Sequence, residues 1–200
     1  MCIHTVICGD QSKPYLVLVH GYGGSGALFF KIIKQICKYF CLVFIDIIGM
    51  GSSSRPSDFD HNNFNELQCL DYFNDYFEKW RVQMNNLTGF YLAGHSFGGY
   101  LVGNYAAKYP QHVKKLLLLS PIGVNTKSQE ELDKRFQGIK KRSRMFISTM
   151  RFFYNKNFSP FTLARIAGSK LSKKAISNYV DRRQKVEGEN QKQAVVDYMH

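Results

Sequence analysis

Two hundred residues with 44% hydrophobic and 14% aromatic content are enough for one sizeable core, which excludes a disordered or fibrous chain. No stretch approaches the roughly 18 apolar residues of a membrane helix, and Met1-Cys2-Ile3-His4 lacks the basic and apolar regions of a secretory leader, so a cytoplasmic location is expected. Five cysteines, Cys2, Cys8, Cys37, Cys41 and Cys69, form an odd set with no C-x-x-C pair, so no disulfide framework, metal or cofactor is expected.

The net charge of +12 is unevenly spread. Residues 1–126 hold 10 basic and 8 acidic side chains, whereas residues 127–200 hold 17 and 7. A break of that size marks a change of role near residue 126, and a basic segment of this kind suits anionic lipid headgroups or another polyanion as well as a solvated helical surface.

Ile3 to Cys8 reads as an edge strand, followed by a turn at Gly9 to Pro14. Tyr15-Leu16-Val17-Leu18-Val19-His20 is an unbroken apolar run, the signature of a central parallel strand covered on both faces. The glycine-rich stretch Gly21 to Gly26 follows, without the spacing of a phosphate-binding loop. Ala27 to Tyr39 repeats apolar residues every three or four positions and predicts an amphipathic helix with Lys31, Lys34 and Lys38 outward. Phe40 to Ile45 predicts a strand ending at Asp46, a carboxylate expected to bond within its own loop. Leu67, Leu70, Phe73, Phe77, Trp80 and Met84 place a helix over 65–85 with these residues in the core. Phe90 to Ala93 and Val113 to Leu119 predict two more strands, separated by a helix that stops near Pro110.

Helices alternating with apolar runs define an α/β fold with a mostly parallel sheet covered on both faces. From Asn125 onward only helix-like patterns remain. The expected organisation is a core over 1–124 and a basic helical region over 125–200.

The chemistry concentrates in Gly94-His95-Ser96-Phe97-Gly98-Gly99. A strand that turns straight into a helix through G-x-S-x-G is a nucleophile elbow, a turn so tight that side chains at Gly94 and Gly98 would collide with neighbouring backbone. Ser96 would then stand at the carboxyl end of the sheet, with the Phe97 N–H at the positive end of a helix where an oxyanion would form. The Gly21–Gly26 loop is read as the other half of that oxyanion hole. His20, Gly21, Gly23 and His95 are expected to shape loop and elbow, His20 as a hydrogen-bonded structural residue rather than a base.

Four segments in order resemble the α/β-hydrolases: His20 to Gly24, Asp46 to Ser53, Gly94 to Gly99 and Lys108 to Val113. Arg55-Pro56, Ser120 to Gly123, Ser159-Pro160-Phe161 and Val195 to His200 are similar to a lipid-directed branch that includes N-acyl phosphatidylethanolamine lipase, cardiolipin-specific deacylase and a lipid-droplet co-activator of triglyceride lipase. The resemblance implies a serine esterase or lipase in which Ser96 is the nucleophile and the N–H groups of Tyr22 and Phe97 form the oxyanion hole. It implies lipid esters as substrates, acyltransfer as a related activity, and a helical cap over 125–200.

A serine hydroxyl needs a histidine base oriented by an acid, and in this fold both follow the serine. His112 sits in the turn at the wrong end of the next strand, and His200 is the last residue. The triad acid and histidine are therefore expected beyond His200, in a longer gene product. Loss of triad partners lowers rates by about four to six orders of magnitude, so residual activity at most is expected of residues 1–200 alone. The alternatives are a catalytically silent lipid-binding homologue using the same surface, or a hydrolase of another small ester or peptide. Basic and aromatic residues interleave over 134–153 and suit peripheral contact with an anionic membrane or lipid droplet. No nucleic-acid module accompanies them, and nucleic acid is not an expected partner.

Overall fold

The apolar run at Tyr15–Val19 forms a central strand (β2), flanked in register by β3 (Cys41–Ile45) on one side and β4 (Phe90–His95) on the other, all parallel. These contacts come from a computed structural model describing residues 1–59, 63–124, 131, 145, 148–149, 152, 168–184 and 188–199. A short strand, β1 (Thr5–Cys8), pairs antiparallel with β3, and β5 (Val113–Leu119) pairs parallel with β4, giving the order β1-β3-β2-β4-β5. The expected edge strand thus begins two residues later than its apolar pattern.

Side-chain alternation divides the core between the faces of the sheet. Val17, Val19, Val43, Ile45 and Leu92 face α2 (Glu66–Gln83) and α3 (Phe97–Lys108), whose Phe77, Trp80, Leu101, Val102 and Tyr105 complete one buried cluster. Leu16, Leu18, Leu42, Phe44 and Ala93 face the other way, onto Phe29, Ile33, Ile36 and Cys37. The helix predicted over 27–39 is split, with a 3-10 turn at Gly26–Phe29 leading into α1 (Phe30–Ile36). It ends early because the Tyr39 and Phe40 N–H groups both return to the Ile36 carbonyl, closing the last turn.

The second helix begins with a reciprocal capping box: the Asn65 side chain accepts from the Gln68 N–H, and the Gln68 side chain accepts from the Asn65 N–H, each at 2.9 Å. Leu67, expected in the core, is 71% exposed because it falls in the first turn on the outer side of the helix. Farther along, Arg81 donates to both Glu78 carboxylate oxygens at 2.6 and 2.9 Å, and the Tyr105 hydroxyl donates to Glu78 at 2.6 Å, clamping α2 to α3. Among the described residues the edge strand β5 pairs with β4 alone, and its Leu116 to Leu119 are 37–45% exposed.

The chain divides into two compact units, residues 1–123 with 197–199 and residues 124–196 with 200. In the second, α4 (Ser169–Gln184) and the part of α5 (Glu189–Met199) up to residue 196 carry the buried Val180, Val195 and Val196, and Lys192 pairs with Asp181 at 3.0 Å. Most of the basic 134–153 segment lies outside the described residues; of those described, Met145 and Phe152 are exposed. No described helix is long and apolar enough to cross a membrane.

Candidate active site

Between the end of β4 and the start of α3 stands Ser96, with φ 54° and ψ −115°. That pair of angles is the first central position of a type II′ turn, where glycine dominates because a Cβ crowds the backbone. A serine held there stores about 1–3 kcal/mol. Neighbouring backbone holds it: the Ser96 N–H donates to the Leu119 carbonyl at 3.0 Å, and its own carbonyl accepts from Tyr100 and Ile122, each at 3.2 Å.

The glycines around it have identifiable reasons. A Cβ on Gly94 would lie 2.5 Å from both the Gly98 carbonyl oxygen and Val102 Cγ2. One on Gly98 would overlap the His20 carbonyl oxygen, and one on Gly99 would meet Gly94 and Pro121 at 2.9 Å. The first turn of α3 is therefore pressed directly onto the end of β2.

The loop after β2 lies on the elbow. A Cβ on Gly21 would come within 3.1 Å of Ser96 Cβ and 3.2 Å of His95 Nδ1. The Gly24 N–H closes the turn on the Gly21 carbonyl at 3.0 Å, with Gly23 at φ 71° between them. Tyr22 follows Gly21, and its ring meets that of Phe97 edge to face at 6.2 Å. The two residues expected to supply oxyanion donors are thus brought side by side next to Ser96. Phe97 is the first residue of α3, where N–H groups lack an intrahelical acceptor and the helix dipole is positive.

His20 is fully buried and both ring nitrogens are engaged: Nδ1 donates to the Gly21 carbonyl at 2.7 Å, and Nε2 accepts from the Ile47 N–H at 3.0 Å. Burial pushes its pKa down, so the ring is held neutral as a brace between two loops. Asp46 is the second brace. Its carboxylate accepts from the Gly26 N–H at 2.7 Å and the Ser52 N–H at 2.9 Å, while its carbonyl accepts from the Ser53 hydroxyl at 2.6 Å. His4 Nδ1 approaches the same carboxylate at 3.5 Å.

Among the described residues, no side chain hydrogen-bonds the Ser96 hydroxyl. His112 stands before the first residue of β5, near Glu78 at 3.9 Å, whereas Ser96 follows the last residue of β4. Because the strands are parallel, about 20 Å of sheet separates them. His200 lies outside the described residues. Support from Pro121 and Ile122 is not legible in the sequence, because a contact between two loops leaves no local pattern. The described residues contain no group of three His, Cys, Asp or Glu side chains able to hold a metal ion.

A sequence profile described as alpha/beta hydrolase fold matches residues 14–191. The chain belongs to that family. Among its relatives, the 1-acylglycerol-3-phosphate O-acyltransferase of Arabidopsis thaliana is 37% identical over 159 residues, 79% of this chain and 36% of the relative. The human (lyso)-N-acylphosphatidylethanolamine lipase is 37% identical over 119 residues, 60% of this chain and 33% of the relative. The chain therefore spans about a third of the length of these lipid-directed relatives. Among solved structures, a bacterial membrane phospholipase A superposes with a TM-score of 0.56 at 23% identity, covering 69% of this chain and 42% of that one. A Rhodococcus 2-hydroxy-6-oxo-6-phenylhexa-2,4-dienoate hydrolase gives 0.56 at 22% identity, covering 63% and 44%. At these identities the structures share the alpha/beta hydrolase fold, and that is the extent of their bearing.

Proposed function

We propose that Ser96 is the nucleophile of a serine hydrolase acting on carboxylic esters of lipids. Its hydroxyl attacks the ester carbonyl, the alkoxide leaves with a proton, and water or an acceptor hydroxyl releases the acyl group from Ser96. The observation that carries the reading is the backbone of Ser96, held at a strained, glycine-type geometry directly beneath the Gly21 loop. Such strain is retained where a surrounding site uses it. The N–H groups of Tyr22 and Phe97 are assigned to the carbonyl oxygen, a contribution worth about 2.7–4 kcal/mol per donor in such sites. The relatives' names, a 1-acylglycerol-3-phosphate O-acyltransferase and a (lyso)-N-acylphosphatidylethanolamine lipase, support a lipid ester and admit transfer alongside hydrolysis. Residues 1–124 are assigned to the catalytic core and 125–200 to a basic helical cap region, with 134–153 touching an anionic membrane or lipid droplet.

Because no described histidine or carboxylate hydrogen-bonds Ser96, the base and its acid are assigned to sequence beyond His200. A fluorophosphonate probe tests it: a gene product extended to the length of the relatives should label at Ser96, and Ser96→Ala should abolish labelling. Residues 1–200 alone should hydrolyse p-nitrophenyl butyrate at most residually. Ordinary enzyme rates from that chain, lost on Ser96→Ala, would overturn the assignment of the base. The second reading, a silent lipid-binding homologue, is favoured by the unengaged Ser96 hydroxyl and predicts no labelling at any length. Flotation with liposomes separates the membrane contact: binding should require anionic lipid, and equal binding to neutral vesicles would remove the electrostatic component.

A further inference from the structure

Six aromatic rings run outward from the elbow in one connected series. Tyr22 meets Phe97 at 6.2 Å, Phe97 meets Phe73 at 5.7 Å, and Phe73 meets Phe59 at 5.8 Å. Phe59 in turn contacts Phe64 at 5.6 Å and Tyr72 at 5.0 Å. The inner members, Phe73 and Phe97, pack against the core on the α2–α3 face of the sheet. Phe59, Phe64 and Tyr72 belong to neither core cluster. They pack on one another, remain half-buried, and touch the core at Phe73.

Partly exposed rings that do not fill the core leave apolar area for another molecule to cover. Its inner end is the Tyr22–Phe97 pair, and Phe97 is the residue after Ser96, so that end adjoins the serine. Its chemistry suits an alkyl chain. The phenylalanines offer no hydrogen bond, and the one hydroxyl of the outer group is already committed, Tyr72 donating to Asp58 at 2.9 Å. The carboxylates bound by neighbouring tyrosines, Asp58 and Glu66, would repel a phosphate headgroup.

We propose that these six rings form the acyl-chain subsite of the Ser96 centre, and that Phe59 and Phe64 make it discriminate by acyl length. The assignment rests on the reading of Ser96 as the residue that receives the acyl group. An acyl chain leaving the serine runs past Tyr22 and Phe97 over Phe73, and only a long chain reaches Phe59 and Phe64. Long and short esters are thus bound alike at the carbonyl and differently at the far end.

The test is calorimetric titration of the 200-residue chain with hexadecanoate and octanoate, below their aggregation limits. Hexadecanoate should bind at least roughly tenfold more tightly than octanoate. Phe59→Ala and Phe64→Ala should each weaken hexadecanoate several-fold and leave octanoate nearly unchanged. Tyr39→Ala, a ring 69% exposed and outside the series, should change neither. Far-ultraviolet circular dichroism checks each variant, and Phe64→Leu replaces Phe64→Ala where folding is impaired. Equal affinity for the two lengths, no hexadecanoate binding, or an unchanged length preference in both phenylalanine variants would overturn the subsite. Ser96→Ala should still bind hexadecanoate, which separates the two claims. Hexadecanoate binding without fluorophosphonate labelling of the extended protein removes the nucleophile but keeps the chain site. Labelling without length discrimination does the reverse.

Discussion

Replacing Ser96 with glycine should make the chain more stable, even though it deletes the side chain on which the proposed chemistry depends. The serine sits at φ 54° and ψ −115°, which costs about 1–3 kcal/mol for a residue with a Cβ. Glycine removes that cost but loses about 0.5–1 kcal/mol more entropy on folding. The hydroxyl contributes little to the balance, since no described side chain bonds it. The net gain is then between zero and about 2.5 kcal/mol, near 1 kcal/mol at mid-range, which for a chain of this size raises Tm by up to roughly 10 °C. Ser96→Ala is the necessary comparison. It deletes the same hydroxyl, keeps the Cβ and the strain, and should stay within about 0.5 kcal/mol of wild type. Trp80, the single tryptophan, is 4% exposed in the core on the α2–α3 face, so its fluorescence reports melting of the unit that contains the elbow. A glycine variant that melts at or below the alanine variant would refute the claim that backbone strain is stored at residue 96.

Gly98→Ala should destabilise by about 1–3 kcal/mol or more, read as a lower urea midpoint, because its Cβ would meet the carbonyl oxygens of His20 and Val19 and rigid backbone cannot yield. Glu78→Gln should flatten the acid limb of stability. The Arg81 hydrogen bond holds the Glu78 carboxyl below its ordinary range, so its contribution is present above the unfolded value and is lost as pH falls through the lower folded one. Wild type should therefore lose stability below about pH 4.5 more steeply than the variant, and identical slopes in urea titrations would contradict the clamp. His20→Gln should reduce the loss of stability between pH 7.5 and 5.5. Burial lowers the His20 pKa, so below about pH 6.5 the unfolded chain takes up a proton that the folded chain resists.

The strands and their parallel order were legible because β2 and β3 are apolar at every position, and only a strand with both faces covered needs that. The elbow was legible because three chemically distinct demands fall within five residues: two absent side chains and one serine. Leu67 and the start of α1 were misread, since a period of 3.6 marks a face without saying where the helix begins or whether its first turn reaches the core. The capping pair Asn65 and Gln68 was readable at the correct spacing.

By itself, then, the sequence determined the fold family, the serine and the glycines that let a backbone turn that tightly. Tertiary structure decided what surrounds them. It joined Ser96 to Leu119 and Ile122, spent both nitrogens of His20 on Gly21 and Ile47, and set Asp46 as a brace for two loops. It also strung Phe59 and Phe64, from the stretch before α2, onto the ring of Phe73. The reason is range: periodicity and turn chemistry act over a few residues, whereas a hydrogen bond between residues 20 and 47, or a ring contact between 22 and 97, exists only after the sheet has brought its loops to one edge.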